Sequence, residues 1–272
     1  MLKISMQART RPDSSLEWQI DFAKRLGRDM IDFHLGNFPR DPEGMMQIKH
    51  RVLRAGLPIG YLGSGGGYTG TDAEIAARIE SDKQDVDAAV FLGAPLIRLM
   101  SGRPKLDDPD PETTSARSAA AFRQTADYAA ARGIFVGLQN HPPPAAPRGE
   151  DILRMLEAVD RPNVTHIMDT GQWWGSIGAD PRGQFDPDVN IYEYMAQTAP
   201  HASSVRAKIY RIDSGKEEWL DHERIARILY DVGYNGALCI CFEGQGNKSS
   251  YEDCMKMAAA HLRQVAGEIY GV

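Results

Sequence analysis

Eight short apolar segments, each followed by a helical stripe of apolar residues, alternate through 272 residues with no dividing linker, which predicts one (β/α)8 barrel over residues 1–272. The strands are short and apolar, as strands of a buried parallel sheet are. An open, doubly wound sheet is the competing arrangement, but the first strand is not followed by the Gly-x-Gly-x-x-Gly turn that a dinucleotide site requires.

The elements follow in order. Leu2 to Gln7 reads as a strand, and Leu16, Ile20, Phe22, Ala23 and Leu26 form a helical stripe that ends at Gly27. Met30 to Leu35 is the second strand, with a helix through Met45, Ile48, Val52 and Leu53 that stops at Gly56. Pro58 to Leu62 is the third, and after the glycine run Gly63 to Gly67 a helix starts near Thr71 and Asp72. Leu96 to Met100 is the fourth, separated by the polar stretch Gly102 to Glu112 from a helix over Thr114 to Ala131. Ile134 to Gln139 precedes a helix over Asp151 to Val159. Val164 to Met168 is followed, after a long loop, by a helix over Ile191 to Thr198. Val205 to Tyr210 leads to His222 to Val232, and Ala237 to Phe242 leads to the last helix, Tyr251 to Tyr270.

Composition narrows the function classes. Hydrophobic residues at 42% and charged ones at 25% are ordinary values, and no apolar run reaches the length of a membrane span. A formal charge of −6 argues against long-range attraction to nucleic acid. Three cysteines, two of them on one face of the last strand at Cys239 and Cys241, read as buried thiols of a reducing compartment, and Met1 to Met6 lacks a signal-peptide core, so a cytoplasmic location is expected.

In a barrel, reactive groups gather where strands end. Asp169 closes the sixth strand in Met168-Asp169-Thr170-Gly171, either as a turn residue, a base or a metal ligand. Gln139 and His141 share a face at the end of the fifth strand, Arg206 and Lys208 a face of the seventh, and Cys239, Cys241 and Glu243 a face of the eighth. Asp32 and His34 come from the second. Polar groups inside a barrel need partners, so their convergence marks a site, and a lysine flanked by apolar residues on a central strand points the same way. Trp173 and Trp174, with Phe38, Tyr68 and Trp219, are candidates for an aromatic floor under a sugar ring or for plain packing. The loop Gly244 to Ser250 enters a helix where barrels bind phosphate, yet Ser250 and Asp253 have capping-box spacing.

Leu138-Gln139-Asn140-His141, Met168-Asp169-Thr170-Gly171-Gln172, Val205-Arg206-Ala207-Lys208-Ile209-Tyr210 and Cys241-Phe242-Glu243-Gly244, in this order, resemble the last four strands of the xylose isomerase-like TIM barrel superfamily, which holds sugar isomerases and epimerases, inosose dehydratases and the endonuclease IV branch (AP endonuclease 2-type barrel). In its ketose epimerases Glu, Asp, His and Glu from strands five to eight hold a divalent metal, often manganese. Those positions fall here on Gln139, Asp169, Arg206 and Glu243, and Gln172 stands where many relatives have a His for metal or substrate. The resemblance therefore implies, at most, one divalent metal (manganese, magnesium or zinc) on Asp169 and Glu243, joined by His141, His34 or His166, and no nucleotide cofactor. The coherent alternative is that the Arg206 guanidinium takes the cation's place between Asp169 and Glu243.

The expected function is then an isomerase-type enzyme acting on a small sugar or keto-sugar through an enediolate. Glu243 is the base, His141 or Lys208 the second proton carrier, and Gln139, Arg206, Asp169, His34, Gln172 and Trp173 hold the substrate. A metal-dependent ketose epimerase, a keto-sugar lyase or dehydratase and a non-catalytic carbohydrate-binding barrel are the alternatives. DNA repair ranks last, since seven histidines do not supply the endonuclease ligand set. The resemblance also implies a homodimer or homotetramer.

Overall fold

The computed structural model describes residues 2–8, 14–63, 66–100, 108–141, 147–178 and 185–271. Ser64 and Gly65 of the glycine run, residues 102–107 of the polar stretch and Pro142 to Pro144 lie outside the described residues. The strands are β1 (Lys3–Ala8), β2 (Met30–His34), β3 (Ile59–Gly63), β4 (Leu96–Met100), β5 (Phe135–Gln139), β6 (Val164–Asp169), β7 (Ala202–Ile209) and β8 (Ala237–Phe242). All pair in parallel in chain order, and β1 pairs with β8 to close the barrel. Around them lie α1 (Leu16–Arg25), α2 (Pro42–Ala55), α3 (Asp72–Leu92), α4 (Pro111–Ala130), α5 (Gly149–Val159), α6 (Ile191–Thr198), α7 (His222–Asp231) and α8 (Tyr251–Tyr270).

Local chemistry sets the helix limits. Thr71 and Glu74 form a reciprocal capping box that starts α3, and Gly56, at φ 69°, takes the left-handed turn that ends α2. Strand β7 begins three residues before the apolar run, at Ala202, because its backbone pairs with His166 of β6; nothing in Ala202-Ser203-Ser204 announces a strand.

Two cores result. Outward-facing residues such as Phe33, Leu138, Met168 and Val205 pack with the inner faces of the helices, for example Phe122 and Leu229. Inside the barrel a separate plug of Tyr61, Leu96, Ile167, Cys239 and Cys241 fills the bore. Tyr61 of β3 meets Cys239 of β8 across the lumen, at 3.6 Å between Oη and Sγ, which fixes the inward direction on both strands. Two inward glycines make this possible. A Cβ at Gly137 would lie 2.5 Å from Ile167 Cδ1, and one at Gly63 would lie 2.7 Å from Arg98 Nε. Gly63→Ala should push the Arg98 side chain off its seat and lower stability by about 1–3 kcal/mol, read as a shifted denaturant midpoint.

Alternation along β6 turns His166 outward. Its Nδ1 lies 2.8 Å from Leu138 O, and its ring packs edge-on to Trp173 in the outer core, so it cannot join Asp169 in a metal site. Burial pushes its pKa from 6.5 down to about 4. In the unfolded chain the imidazole protonates near its ordinary pKa, whereas in the fold it stays neutral. The stability it contributes is therefore full above pH 6.5 and is lost as pH falls toward 4, a loss of order 3 kcal/mol. A His166→Gln variant should show a flatter decline of the denaturant midpoint across that window.

Candidate active site

The C-terminal end of the lumen is polar. Asp169, the last residue of β6, is fully buried, and both carboxylate oxygens are engaged. Oδ1 accepts from the Gly171 amide at 3.1 Å, the turn role of an Asp-Thr-Gly sequence. Oδ2 accepts from Gln139 Nε2 at 2.9 Å and from Arg206 Nε at 3.0 Å, with Lys208 Nζ 3.6 Å away. Burial alone would raise this carboxyl, but Lys208, Arg206 and His141 together hold it below its ordinary value. Asn140 clamps the strand end from the side: its Oδ1 accepts from Asp169 N at 2.7 Å and its Nδ2 donates to Asp169 O at 2.8 Å.

Arg206 reaches across the barrel. Its Nη1 donates to Tyr61 Oη at 2.5 Å and its Nη2 to Gln7 Oε1 at 3.4 Å. Arg98 of β4, 2% exposed, donates to Gln139 Oε1. That bond turns the Gln139 amide so that its nitrogen faces Asp169. Burial, with Arg206 nearby, brings the Arg98 guanidinium down to about 10, still cationic at neutral pH. Glu243 follows β8, and its side chain, 32% exposed, makes an ion pair with the buried ammonium of Lys208. The expected bridge of Arg206 between Asp169 and Glu243 is therefore divided: Arg206 holds Asp169, and Lys208 spans Glu243 and Asp169.

The remaining expected residues are distributed unevenly. His141 is half-buried beside this cluster, close enough to act on Asp169. His34 is half-buried at the end of β2, where Nδ1 accepts from Gly36 N at 3.1 Å as the cap of a short 3-10 turn. Gln172 is buried after β6, and its Oε1 has no hydrogen-bond partner among the described residues. Asp32 lies lower in the bore, bonded to Ser5 Oγ and Tyr61 N, with its carboxyl raised by burial. Trp173 is a correction: it is fully buried in the outer core against His166 and Tyr194 and offers no ring face to a substrate. Phe38 and Tyr68 are likewise core residues, Phe38 against Phe33 and Tyr68 bonded to Asp82. Trp174 and Trp219 are half-buried, Trp219 stacked on Tyr210. In the phosphate-binding position the amides of Lys248 and Ser249 already donate to the Asp213 carboxylate, at 2.6 and 3.1 Å, and Asn247 is tied to Tyr210 and Ile212. These two amides are thus already taken by an internal anion.

Arg98 and Tyr61 were not anticipated. Arg98 had a signal, a charged residue in the middle of Leu-Ile-Arg-Leu-Met, whereas a tyrosine in a strand gives none.

Residues 20–265 match the family described as Xylose isomerase-like TIM barrel. The chain belongs to that family. Among solved structures, a D-allulose 3-epimerase from Methylomonas sp. is similar at TM-score 0.76 and 21% identity, over 97% of this chain and 98% of the other. A 3-keto-D-glucoside 4-epimerase from E. coli is similar at TM-score 0.75 and 14% identity, over 97% and 100%. A xylose isomerase domain protein from Planctomyces limnophilus is similar at TM-score 0.75 and 18% identity, over 100% and 99%. No curated protein matches this chain in sequence.

A divalent metal of the kind the family resemblance implies does not fit this donor set. Asp169 Oδ2 already takes two hydrogen bonds, Gln139 presents N–H groups instead of an oxygen, and two fixed cations stand at the carboxylates. Among the described residues no three His, Cys, Asp or Glu side chains gather to hold a metal.

Proposed function

We propose that this chain is a sugar or keto-sugar isomerase-type enzyme that removes a proton next to a carbonyl, with Glu243 as the base. One observation carries the reading: of the two carboxylates at the C-terminal end of the lumen, Asp169 is sealed and fully engaged, while Glu243 is 32% exposed at the mouth and held, among the described residues, by a single ammonium. The first can only orient; the second can be released to a substrate. The similar structures support the chemistry, since the carbon inverted in a D-allulose 3-epimerase or a 3-keto-D-glucoside 4-epimerase adjoins a ketone.

On this reading the substrate carbonyl enters beside Lys208 and Arg206, and Glu243 takes the proton from the neighbouring carbon. The electron pair passes to the carbonyl oxygen, where the ammonium and guanidinium stabilise the enediolate. Gln139 and Asp169 keep both cations in place, and Arg98 keeps the Gln139 amide turned. Glu243 can return the proton on the same face to the adjacent carbon while the hydroxyl proton passes from one enediolate oxygen to the other, which is isomerisation, or the intermediate can expel a β-substituent that leaves with the proton held by Glu243, which is elimination. Inversion requires a second group on the opposite face, and His141 is the candidate.

The test is incubation of the protein in deuterium oxide with ketoses, aldoses and 3-keto-glycosides, following the C–H signal next to the carbonyl by proton NMR. Its loss in at least one sugar is expected. Binding of a sugar without any exchange would replace the enzyme by a carbohydrate-binding barrel.

A further inference from the structure

The disagreement between the donor set and the expected metal is systematic. Four oxygens that would face a dication, one on Gln139, two on Asp169 and one on Glu243, accept instead from protein donors. Arg98 takes Gln139 Oε1, Gln139 and Arg206 take Asp169 Oδ2, Gly171 takes Asp169 Oδ1, and Lys208 takes Glu243 Oε1. Lys208 Nζ stands where a bridging cation would, bonded to one carboxylate and 3.6 Å from the other, and the side chain is only 2% exposed. Its position is fixed from two sides. The Lys208 amide donates to Thr170 Oγ1 at 3.0 Å, and that hydroxyl donates to Arg206 O at 3.2 Å, so the loop after Asp169 is tied to the strand carrying both cations.

We propose that Lys208 and Arg206 are the permanent cation of this site and that the chain is a metal-independent member of its family. The proposal rests on the reading of this lumen as the reaction centre. A guanidinium and an ammonium spread their charge over many N–H donors, so they can hold an enediolate oxygen by hydrogen bonds without the octahedral coordination a hard dication demands. Gln139 belongs to the same arrangement, since a carboxylate there would give Arg98 a charged partner and Asp169 a like-charged neighbour. Metal binding would displace Lys208 from both carboxylates and bring a dication against a buried guanidinium that cannot lose its proton.

The experiment uses the full chain, purified without a metal-affinity step, equilibrated with manganese, magnesium or zinc, desalted and submitted to elemental analysis and thermal unfolding. Expected are far less than one metal per chain and no rise in Tm. A triple variant, Gln139→Glu with Arg206→His and Lys208→Met, removes both cations and supplies a carboxylate and an imidazole beside Asp169 and Glu243. It is expected to gain close to one manganese per chain and a manganese-dependent rise in Tm. One metal per wild-type chain, with a Tm increase that Glu243→Gln abolishes, would overturn the proposal, and the wild-type result decides even where the triple variant does not fold. These readouts need no turnover, so they stand apart from the exchange test of the reaction itself.

Discussion

Arg206→Met should destabilise the protein more than any other single change in the lumen, by about 3–5 kcal/mol, because it leaves a buried carboxylate without its guanidinium. Asp169 is fully buried and accepts from Arg206 Nε at 3.0 Å, and Tyr61 Oη loses its charged donor at the same time. Unfolding a chain of this size shifts by roughly 2–4 °C per kcal/mol, so a fall in Tm of about 6–20 °C is expected in a thermal scan. Pairing it with Asp169→Asn removes the stranded charge, and the double variant should recover part of the loss. Equal losses in the single and double variants would mean that the ion pair is not what Arg206 contributes.

Glu243→Gln carries the second large effect, on rate rather than on stability. The side chain is 32% exposed and an amide oxygen can still accept from Lys208, so the fold and the cation positions persist. What disappears is the proton acceptor. Exchange at the carbon next to the carbonyl should fall by about 10²–10⁴-fold, the usual worth of a positioned general base, while affinity for the same sugar measured by calorimetry changes little. Loss of affinity with unchanged exchange per bound molecule would assign Glu243 to binding and the proton transfer to another group.

The barrel was legible because its signal is repeated: each strand is a compact apolar run, and the bounds of β4, β8, α6 and α8 follow directly from it. The site was legible where a charge interrupts such a run. Lys208 and Arg206 share a face of β7. His166 was misplaced as a partner of Asp169, although strand alternation sends it outward when Asp169 points inward. The pairing was not legible. Which cation holds which carboxylate depends on the stagger between β6, β7 and β8, where Asp169 lies level with Arg206 and Lys208 with Cys241, a relation that no single strand encodes. The aromatic residues misled for a related reason. Trp173 comes four residues after Asp169, but the turn at Gly171 swings it behind the strand into the outer core.

The most direct test of the account is solvent deuterium exchange into a sugar by wild-type protein stripped with chelator, with metal content measured on the same sample. Exchange at full rate with metal far below one per chain is the predicted result, and it joins the reaction to the Lys208 and Arg206 cations. Exchange that vanishes on chelation and returns with added manganese would contradict it.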